Sequence, residues 1–216
     1  MKRCLTTVIL GALILFPAQC GALKVGIVSD IHAGKQKMRT AGTSVIYPKK
    51  AVRYFERAVK KMQSKGVDLI ISLGDTTNKG KKKYYKQLKK IEKKYGIKVL
   101  WVKGNHDDRD FSILGPENYV YELNGVRFVV INTSDCPKRK RIAGCMKDAP
   151  PKGDIYLQHH APLIKGTCDW RDDFKNGKSD VIWSGHWHKE ITCGNIKIFP
   201  ALTEHKQLQY RIITIN

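Results

Sequence analysis

The sequence has little acidic charge, with 19 Asp and Glu residues against 40 Lys and Arg residues and a formal net charge of +21. It also lacks internal repeats and any periodic Gly or Pro pattern, which excludes solenoid and fibrous architectures. Its hydrophobic fraction of 42% is higher than that of a disordered chain with this much charge. Since a domain typically takes roughly 100–200 residues, the 216 residues predict one globular, strongly basic domain.

A long apolar run is also absent, although the N-terminal region contains a short one. No charged residue lies between the basic residues at positions 2 and 3 and Lys24, and the apolar run from Val8 to Phe16 is followed by small residues up to Ala22. A basic start, a short apolar run and a small-residue end form the pattern of a secretory signal. Spanning a bilayer takes about 20 apolar residues, so this run favours a signal over a transmembrane helix.

We therefore expect a signal peptide over residues 1–22 and a single domain over residues 23–216. The domain is expected outside the cytoplasm, either secreted or periplasmic. Two alternatives remain open: an uncleaved N-terminal segment that tethers the protein to the membrane, and a lipid attached at Cys20.

Paired Cys-x-x-Cys spacing is absent, which argues against a cysteine zinc site. After the signal the chain has four cysteines, Cys136, Cys145, Cys168 and Cys193. An even number of cysteines in an exported domain favours disulfides. Because Cys136 and Cys145 bracket one loop, we expect the pairs Cys136–Cys145 and Cys168–Cys193, with four free thiols as the alternative.

Strands and helices alternate in the first half of the domain. Apolar runs predict three buried strands, at Lys24–Ser29, Asp68–Leu73 and Ile97–Val102. Apolar spacings of three and four residues predict helices that begin at Pro48 and at Lys79. Strand, helix, strand, helix and strand at this spacing indicate a parallel βαβαβ unit.

The second half is richer in turns and short strands. Asn124-Gly125 is a strong hairpin signal between two apolar runs. Further short strands are expected at Ile155–Gln158, Val181–Ser184, Ile196–Phe199 and Gln207–Ile215. Together the two halves predict an α/β (α+β) domain in which two sheets pack face to face as a β-sandwich flanked by helices.

Six of the seven histidines fall at expected strand ends, and two of them, His32 and His106, have Asp or Asn within two positions. They belong to five motifs: Asp30-x-His32, Gly74-Asp75-x-x-Asn78, Gly104-Asn105-His106-Asp107, His159-His160-Ala-Pro162 and Gly185-His186-x-His188. The carboxyl ends of strands are where open α/β sheets place their sites. Carboxylate, amide and imidazole ligands without thiolate suit Mn²⁺, Fe or Zn²⁺. The seventh histidine, His205, has no motif around it and is expected on the surface.

These five motifs, in this order, resemble those of the calcineurin-like metallophosphoesterases, and the resemblance covers essentially the whole domain after the signal. It implies a two-sheet β-sandwich flanked by helices. It also implies hydrolysis of phosphate esters at two divalent metal ions, in which a metal-bridging hydroxide attacks phosphorus. Manganese is the ion expected to support activity in vitro, with iron and zinc as alternatives.

The resemblance also assigns roles to residues. One metal would be held by Asp30, His32, Asp75 and His188, and the second by Asp75, Asn105, His160 and His186. In the family the fourth motif's ligand commonly stands two residues before a proline, which favours His160 over His159. His159 would then contact the ligands or the substrate, and Asn105 and His106 would also contact the substrate.

His106 is the expected acid for the leaving oxygen, or the electrostatic partner of the phosphate, and Asp107 is expected to orient it. Many relatives have Asp at the position of Asn78. Asn78 is expected to hydrogen-bond the His106 ring without the charge that stabilises an imidazolium.

The sequence indicates the class of reaction more clearly than it indicates the substrate. Lysine and arginine side chains in the loops that flank the motifs favour phosphodiesters, because a second anionic group needs cationic partners beyond the metals. Ten lysines between Lys79 and Lys98, and a cluster at Lys138–Arg141, indicate either a solvated surface or a face for nucleic acid or another polyanion. A phosphomonoesterase of the same fold and a non-catalytic polyanion-binding scaffold remain alternatives. The pattern points to no obligate protein partner and leaves the oligomeric state open.

Overall fold

The computed structural model describes residues 21–35, 38–39, 45–107, 109–135, 153–165, 167–169, 181–204 and 207–216. Within these ranges the helices are α1 (Pro48–Gln63) and α2 (Lys82–Tyr95), followed by a 3₁₀ turn at Arg109–Ile113. The strands are β1 (Leu23–Val28), β2 (Met38–Arg39), β3 (Val45–Ile46), β4 (Leu69–Ser72), β5 (Val99–Trp101), β6 (Tyr119–Leu123), β7 (Val126–Ile131), β8 (Ile155–Gln158), β9 (Val181–Ser184), β10 (Ile191–Cys193), β11 (Ile196–Ile198), β12 (Thr203–Glu204), β13 (Gln207–Leu208) and β14 (Arg211–Ile215).

Two mixed sheets form the body of the domain. The first has the order β14-β1-β4-β5, in which β1, β4 and β5 are parallel and β14 pairs antiparallel with β1. The second has the order β10-β11-β9-β8-β7-β6, with parallel central strands and an antiparallel strand at each edge. The predicted sandwich flanked by helices is confirmed.

Alternation along the strands builds two apolar layers. In β4, Leu69 and Ile71 are buried in the cluster that fills the space between the sheets, together with Phe128 of β7. Ile70, between them, belongs to the cluster that packs the same sheet against α1, where Phe55 is fully buried. The strands between the two layers therefore have little freedom to shift, and their carboxyl ends are held at one edge.

Three details differ from the sequence-based expectation. Helix α2 begins at Lys82 rather than Lys79, and its buried face contains Tyr85 rather than Tyr84, which is half-buried. The two adjacent tyrosines fit the apolar spacing almost equally. The orientation of α2 that buries Tyr85 also brings its hydroxyl to Asp107, at 3.0 Å. The last expected strand is divided into β13 and β14.

Some expectations lie outside the described residues: the signal peptide through residue 20, the Cys136–Cys145 pair, the Lys138–Arg141 cluster and His205. Cys168 and Cys193 form a disulfide with a Cα–Cα distance of 5.4 Å, which ties the segment after β8 to β10. Among the described ranges, no helix combines the length and the apolar character that crossing a membrane requires.

Glu92 is the one acidic residue on α2. It is buried, and both of its carboxylate oxygens accept hydrogen bonds. Its Oε2 accepts from Trp101 Nε1 at 3.0 Å and pairs with Lys89 Nζ at 2.8 Å, while its Oε1 accepts from the Val99 amide at 3.3 Å. The carboxylate therefore links α2 to β5, the strand that leads into the Gly104-Asn105-His106-Asp107 motif.

We expect Glu92→Ala to lower the free energy of unfolding by about 2–3 kcal/mol, because it leaves the buried Trp101 N–H without its acceptor. Chemical denaturation of the purified protein measures this. The control is Glu122→Ala, since Glu122 is exposed on β6 and lies 3.8 Å from Arg127, a kind of pair worth about 1 kcal/mol or less. Equal losses in the two variants would contradict the role assigned to Glu92.

Candidate metal centre

Five loops bring their polar side chains to one edge of the sandwich. They follow β1, β4, β5, β8 and β9, and each contains one of the five motifs. The loops after β1 and β4 are joined by backbone hydrogen bonds, from the Asp30 amide to the Gly74 carbonyl at 3.1 Å and from the His32 amide to the Asp75 carbonyl at 2.8 Å. The motifs therefore meet because parallel strands end together, as expected from the sequence.

The backbone of these loops is strained at the candidate ligands. Within the described residues, the non-glycine residues with positive φ inside the motifs have φ between 48° and 69°: Asp30, His32, Asp75, His186 and His188. The remaining one, Asn124, lies in the hairpin turn between β6 and β7. Left-handed conformations of this kind cost on the order of 1–3 kcal/mol each and cluster at functional sites. The surrounding sandwich must supply the stability that maintains them.

Asp30 presents one carboxylate oxygen to two histidines. Its Oδ2 accepts hydrogen bonds from the Ser29 hydroxyl and from the His186 amide, the latter at 3.1 Å. Its Oδ1 lies 3.2 Å from His188 Nε2 and 3.8 Å from His32 Nε2. The two Nε2 atoms are 3.3 Å apart, so one oxygen and two nitrogens converge on a point.

The two carboxylate oxygens of Asp75 also have different partners. One accepts a backbone hydrogen bond, and the other faces two histidines. Its Oδ1 accepts the His106 backbone N–H at 2.8 Å. Its Oδ2 lies 3.6 Å from His32 Nε2 and 3.2 Å from His159 Nε2. Gly104 permits this approach, because a Cβ there would overlap the Asp75 backbone and carboxylate.

His159 completes a second convergence of donor atoms. Its Nδ1 is 2.9 Å from the Leu73 carbonyl and donates to it, so Nε2 is the ring nitrogen that faces the cluster. Nε2 is 3.2 Å from Asn105 Oδ1 and 3.2 Å from His186 Nδ1. Its ring packs over Gly74, where any Cβ would overlap the imidazole.

The structure brings His159 against Asp75, while His160, the expected ligand, has a ligand atom within 4.8 Å of those of His159 and His186. The Nδ1 atom of His160 is 3.1 Å from the Thr133 hydroxyl, and its ring lies 4.4 Å from that of His186. The period-two pattern of β8 is the signal that identifies His159. Leu157 is buried between the sheets and Tyr156 on the outer side, so His159 continues the face of Leu157 toward the first sheet.

The electrostatics divide the histidines of the cluster into two kinds. Burial lowers the pKa of His32 to about 4, and burial followed by the nearby His159 lowers that of His186 to about 4. Against the effect of burial, Asp75 raises the pKa of His159 to about 9, so a metal ion bound by His159 would displace a proton. Asp30 raises the pKa of His188, also against the effect of burial. Burial opposes ionisation of Asp30, but His188 holds its pKa at about 2. His159 likewise lowers the pKa of Asp75 against the effect of burial. At neutral pH the carboxylates are therefore ionised, and His32 and His186 are neutral.

The residues present fit a metal ion. Within the described residues, buried side-chain atoms without a hydrogen-bond partner include Asp30 Oδ1, His32 Nδ1 and His188 Nδ1. A buried polar atom left unpaired is costly unless a ligand or ion satisfies it. Groups of His and Asp whose ligand atoms lie within 4.8 Å of one another include Asp30, His32 and His188, and separately Asp30, Asp75 and His159. Oxygen and nitrogen donors without thiolate suit Mn²⁺, Fe or Zn²⁺.

His106 lies beside this cluster and is half-buried. Its ring meets that of His32 edge-on at 4.9 Å, and its Nδ1 is 3.2 Å from the backbone carbonyl of Asn78. The expected contact with Asn78 is thus made by the main chain rather than by the side-chain amide. Because any residue at position 78 supplies this carbonyl, the presence of Asn instead of Asp does not remove the hydrogen bond that holds the His106 ring.

Asp107 has a different place from the one expected. Its carboxylate is buried and accepts backbone N–H groups of Thr76, Thr77 and Gly104 at 2.9–3.0 Å, together with the Tyr85 hydroxyl. Burial, followed by the charge of Asp75, raises its pKa to about 6. With its oxygens so engaged, Asp107 fastens the loop after β4 to the loop after β5, and among the described residues its carboxylate makes no hydrogen bond to His106.

Three supporting residues were missed by sequence reasoning. Ser29 holds one oxygen of Asp30, Thr133 holds His160 through both its amide and its ring, and Tyr85 connects α2 to Asp107. Ser29 alone had a visible signal, as a polar residue that ends an otherwise apolar strand directly before a ligand. The other two act across distances in the chain that no local pattern reveals.

Comparison with known proteins identifies the family of the chain. The model of the calcineurin-like phosphoesterase family matches residues 23–190, and the chain belongs to this family. A cAMP/cGMP dual specificity phosphodiesterase from Mycobacterium tuberculosis is 27% identical over 56% of this chain and 48% of its own length. A probable cyclic nucleotide phosphodiesterase from Rhodococcus erythropolis is 34% identical over 58% of this chain and 53% of its own length. The chain thus spans about half the length of these curated relatives.

A solved structure shows the same fold. A dimetal phosphatase from Danio rerio superposes with a TM-score of 0.62 and 14% identity, covering 88% of this chain and 91% of that one. At this identity the likeness concerns the arrangement of the two sheets and their flanking helices.

Asp107→Asn is expected to lower the free energy of unfolding by about 2–4 kcal/mol, because an amide nitrogen would face buried N–H groups that now have a carboxylate acceptor. Denaturant unfolding provides the measurement. Asp110→Asn, a matched change in the neighbouring 3₁₀ turn, is expected to stay within about 0.5 kcal/mol of the wild type. If Asp107→Asn lost activity but kept full stability, the fastening role would be wrong.

Proposed function

We propose that the chain is a dinuclear metal-dependent hydrolase of phosphate esters with a preference for phosphodiesters. The observation that carries this is the position of Asp75 Oδ2, which lies 3.6 Å from His32 Nε2 and 3.2 Å from His159 Nε2. Asp75 Oδ2 is thus close both to the donor atoms around His32 and to those around His159. That arrangement suits a pair of cations that share a ligand.

The proposed ligand sets follow from these contacts. The first metal is held by Asp30, His32, Asp75 and His188. The second is held by Asp75, Asn105, His159 and His186. Two bound divalent cations lower the pKa of a shared water and neutralise charge on the phosphate oxygens. Mn²⁺, Fe and Zn²⁺ all suit these donors, and Mn²⁺ is the ion we would supply in vitro.

The chain's own residues around the cations position the substrate and handle the proton. Asn105 is exposed, so its amide nitrogen is available to a phosphate oxygen while its Oδ1 points to His159. His106 is anchored through Nδ1 to the Asn78 carbonyl at 3.2 Å, which leaves Nε2 to donate a proton to the leaving oxygen or to contact the phosphate. A positioned acid of this kind supports hydrolysis of esters with poor leaving groups.

The preference for diesters rests on two kinds of support. The curated relatives are named as cyclic nucleotide phosphodiesterases, which act on a diester bond. The helix layer is also strongly basic, since α1 has six Lys and Arg and α2 has seven, with one glutamate in each. Both glutamates are paired, Glu56 with Lys94 and Glu92 with Lys89. This excess of positive charge favours association with nucleic acid or another polyanion.

Export from the cytoplasm is part of the same proposal. The disulfide between Cys168 and Cys193 supports it, because such bonds persist mainly in oxidising compartments. The signal-like pattern over residues 1–22 supports it independently.

Metal content distinguishes the two adjacent histidines. His159→Ala is expected to reduce bound metal from about two ions per chain to about one, since two-metal hydrolases hold their ions about 3.5–4 Å apart on shared and separate ligands. His160→Ala, the matched control one residue away, is expected to retain both ions, and Asp75→Ala to lose both. Elemental analysis after dialysis measures this. The reverse result for the two histidines would restore His160 as the ligand, and a folded wild type without metal would refute the dinuclear proposal.

Turnover tests the role of His106. His106→Ala is expected to keep both metals and to hydrolyse bis(p-nitrophenyl) phosphate with Mn²⁺ about 10²–10⁴-fold more slowly, the usual contribution of a general acid. Asn78→Ala serves as its control and is expected to remain near the wild-type rate, because the contact with His106 is through the backbone. Release of metal by His106→Ala would show that His106 is a ligand instead.

A further inference from the structure

A small cavity opens directly beside the candidate metal centre. It has a volume of about 120 Å³ and is lined by three lysines, Lys35, Lys79 and Lys81, by Tyr84 and by the chain at Ala33–Gly34 and Asn78. No role in the site described above uses this cavity. Its walls come from the loop after β1 and from the segment between β4 and α2.

The cavity and the metal centre share their walls. Ala33 directly follows the ligand His32, and its amide donates to the Thr76 carbonyl, next to Asp75, at 3.1 Å. The Asn78 amide donates to the Ala33 carbonyl at 3.1 Å, while the Asn78 carbonyl contacts His106 Nδ1 at 3.2 Å. Residues that line the cavity are therefore adjacent in the chain, or directly hydrogen-bonded, to residues of the metal centre.

The cavity is positively charged and uncompensated. None of its lining residues is acidic. Within the part of the chain that the structure describes, Lys35, Lys79 and Lys81 form no ion pair, unlike Lys89, Lys94 and Lys103. Like charges that converge on one cavity repel each other unless an anion lies between them.

The walls are also preformed. The Gly34 amide donates to the Pro48 carbonyl at 3.1 Å, and the Gly80 amide donates to the Thr77 hydroxyl at 2.8 Å. A Cβ at Gly34 would stand 3.1 Å from Asn78 Cβ and 3.2 Å from Pro48 Cβ. Segments packed this closely hold the lysine backbones in place, so an anion would not have to order the loop on binding.

We propose that this cavity, named here the lysine subsite, binds a second phosphate group of the substrate. The inference rests on the proposed function and narrows its substrate class to phosphodiesters that carry a further phosphate, as in a strand joined by successive phosphodiester bonds. A cyclic nucleotide has a single phosphate and leaves the lysine subsite empty. Tyr84, half-buried in the cavity wall, offers an apolar surface to the sugar or base between the two phosphates.

Binding to the metal-loaded protein tests this without turnover. The probes are thymidine 5′-phosphate and thymidine 3′,5′-bisphosphate, which differ by one phosphate, and calorimetry gives both dissociation constants. In the wild type the second phosphate is expected to tighten binding about tenfold, the effect of two exposed ion pairs. In Lys79→Gln/Lys81→Gln the difference is expected to fall to about twofold or less, with unchanged metal content.

The matched control removes the same charge outside the cavity. Lys86→Gln/Lys90→Gln changes two exposed lysines on α2 and is expected to retain the discrimination of the wild type. A wild type that does not distinguish the two probes overturns the proposal, as does an equal loss in both double variants, which would reflect the general field of the protein. The two proposals can be told apart. If the three proteins show the expected differences between the two probes but the wild type hydrolyses no phosphate ester, the lysine subsite is confirmed and the proposed hydrolysis is wrong.

Discussion

The site depends on one carboxylate, that of Asp75. Its two oxygens have separate tasks, since Oδ1 is fixed by the His106 amide and Oδ2 faces both His32 and His159. The residue has a φ of 48°, a conformation that an isolated loop would avoid. The absence of a side chain at Gly104 lets the neighbouring loop close on it. His32 and His159, two of the candidate ligands, both lie against this oxygen.

The sandwich explains how such a strained cluster persists. Parallel strands of two sheets end at one edge. The loops that follow β1 and β4 are hydrogen-bonded to each other through their backbones, without the help of a ligand. Asp107 adds a buried acceptor that three backbone N–H groups share. Replacing these contacts by water would leave five positive-φ residues without support. The apolar layers on both sides of the first sheet thus stabilise the geometry at its edge.

The fold and most of the site were predictable because they depend on local patterns. Buried runs, turn residues and polar groups at strand ends predicted both sheets and the convergence of the motifs. Where a choice depended on side-chain direction, two local patterns favoured different residues. The proline spacing favoured His160, whereas the alternation of β8 turns His159 to the centre. The apolar spacing of α2 favoured Tyr84, whereas Tyr85 reaches Asp107. Such choices are made by tertiary contacts between loops.

The excess of lysine has two physically different parts. On the outer faces of α1 and α2 the charges are spread over an open surface, where salt screens them within about 8–10 Å and any polyanion meets many equivalent partners. At the lysine subsite the charges converge on one small cavity next to the metal ligands, so they act on a fixed position of the substrate. Under the proposed function, the first part would govern how fast a polyanion arrives, and the second would govern which phosphate lies over the metals. A surface field alone would not select among the phosphates of one strand, whereas a charged cavity at a fixed position would.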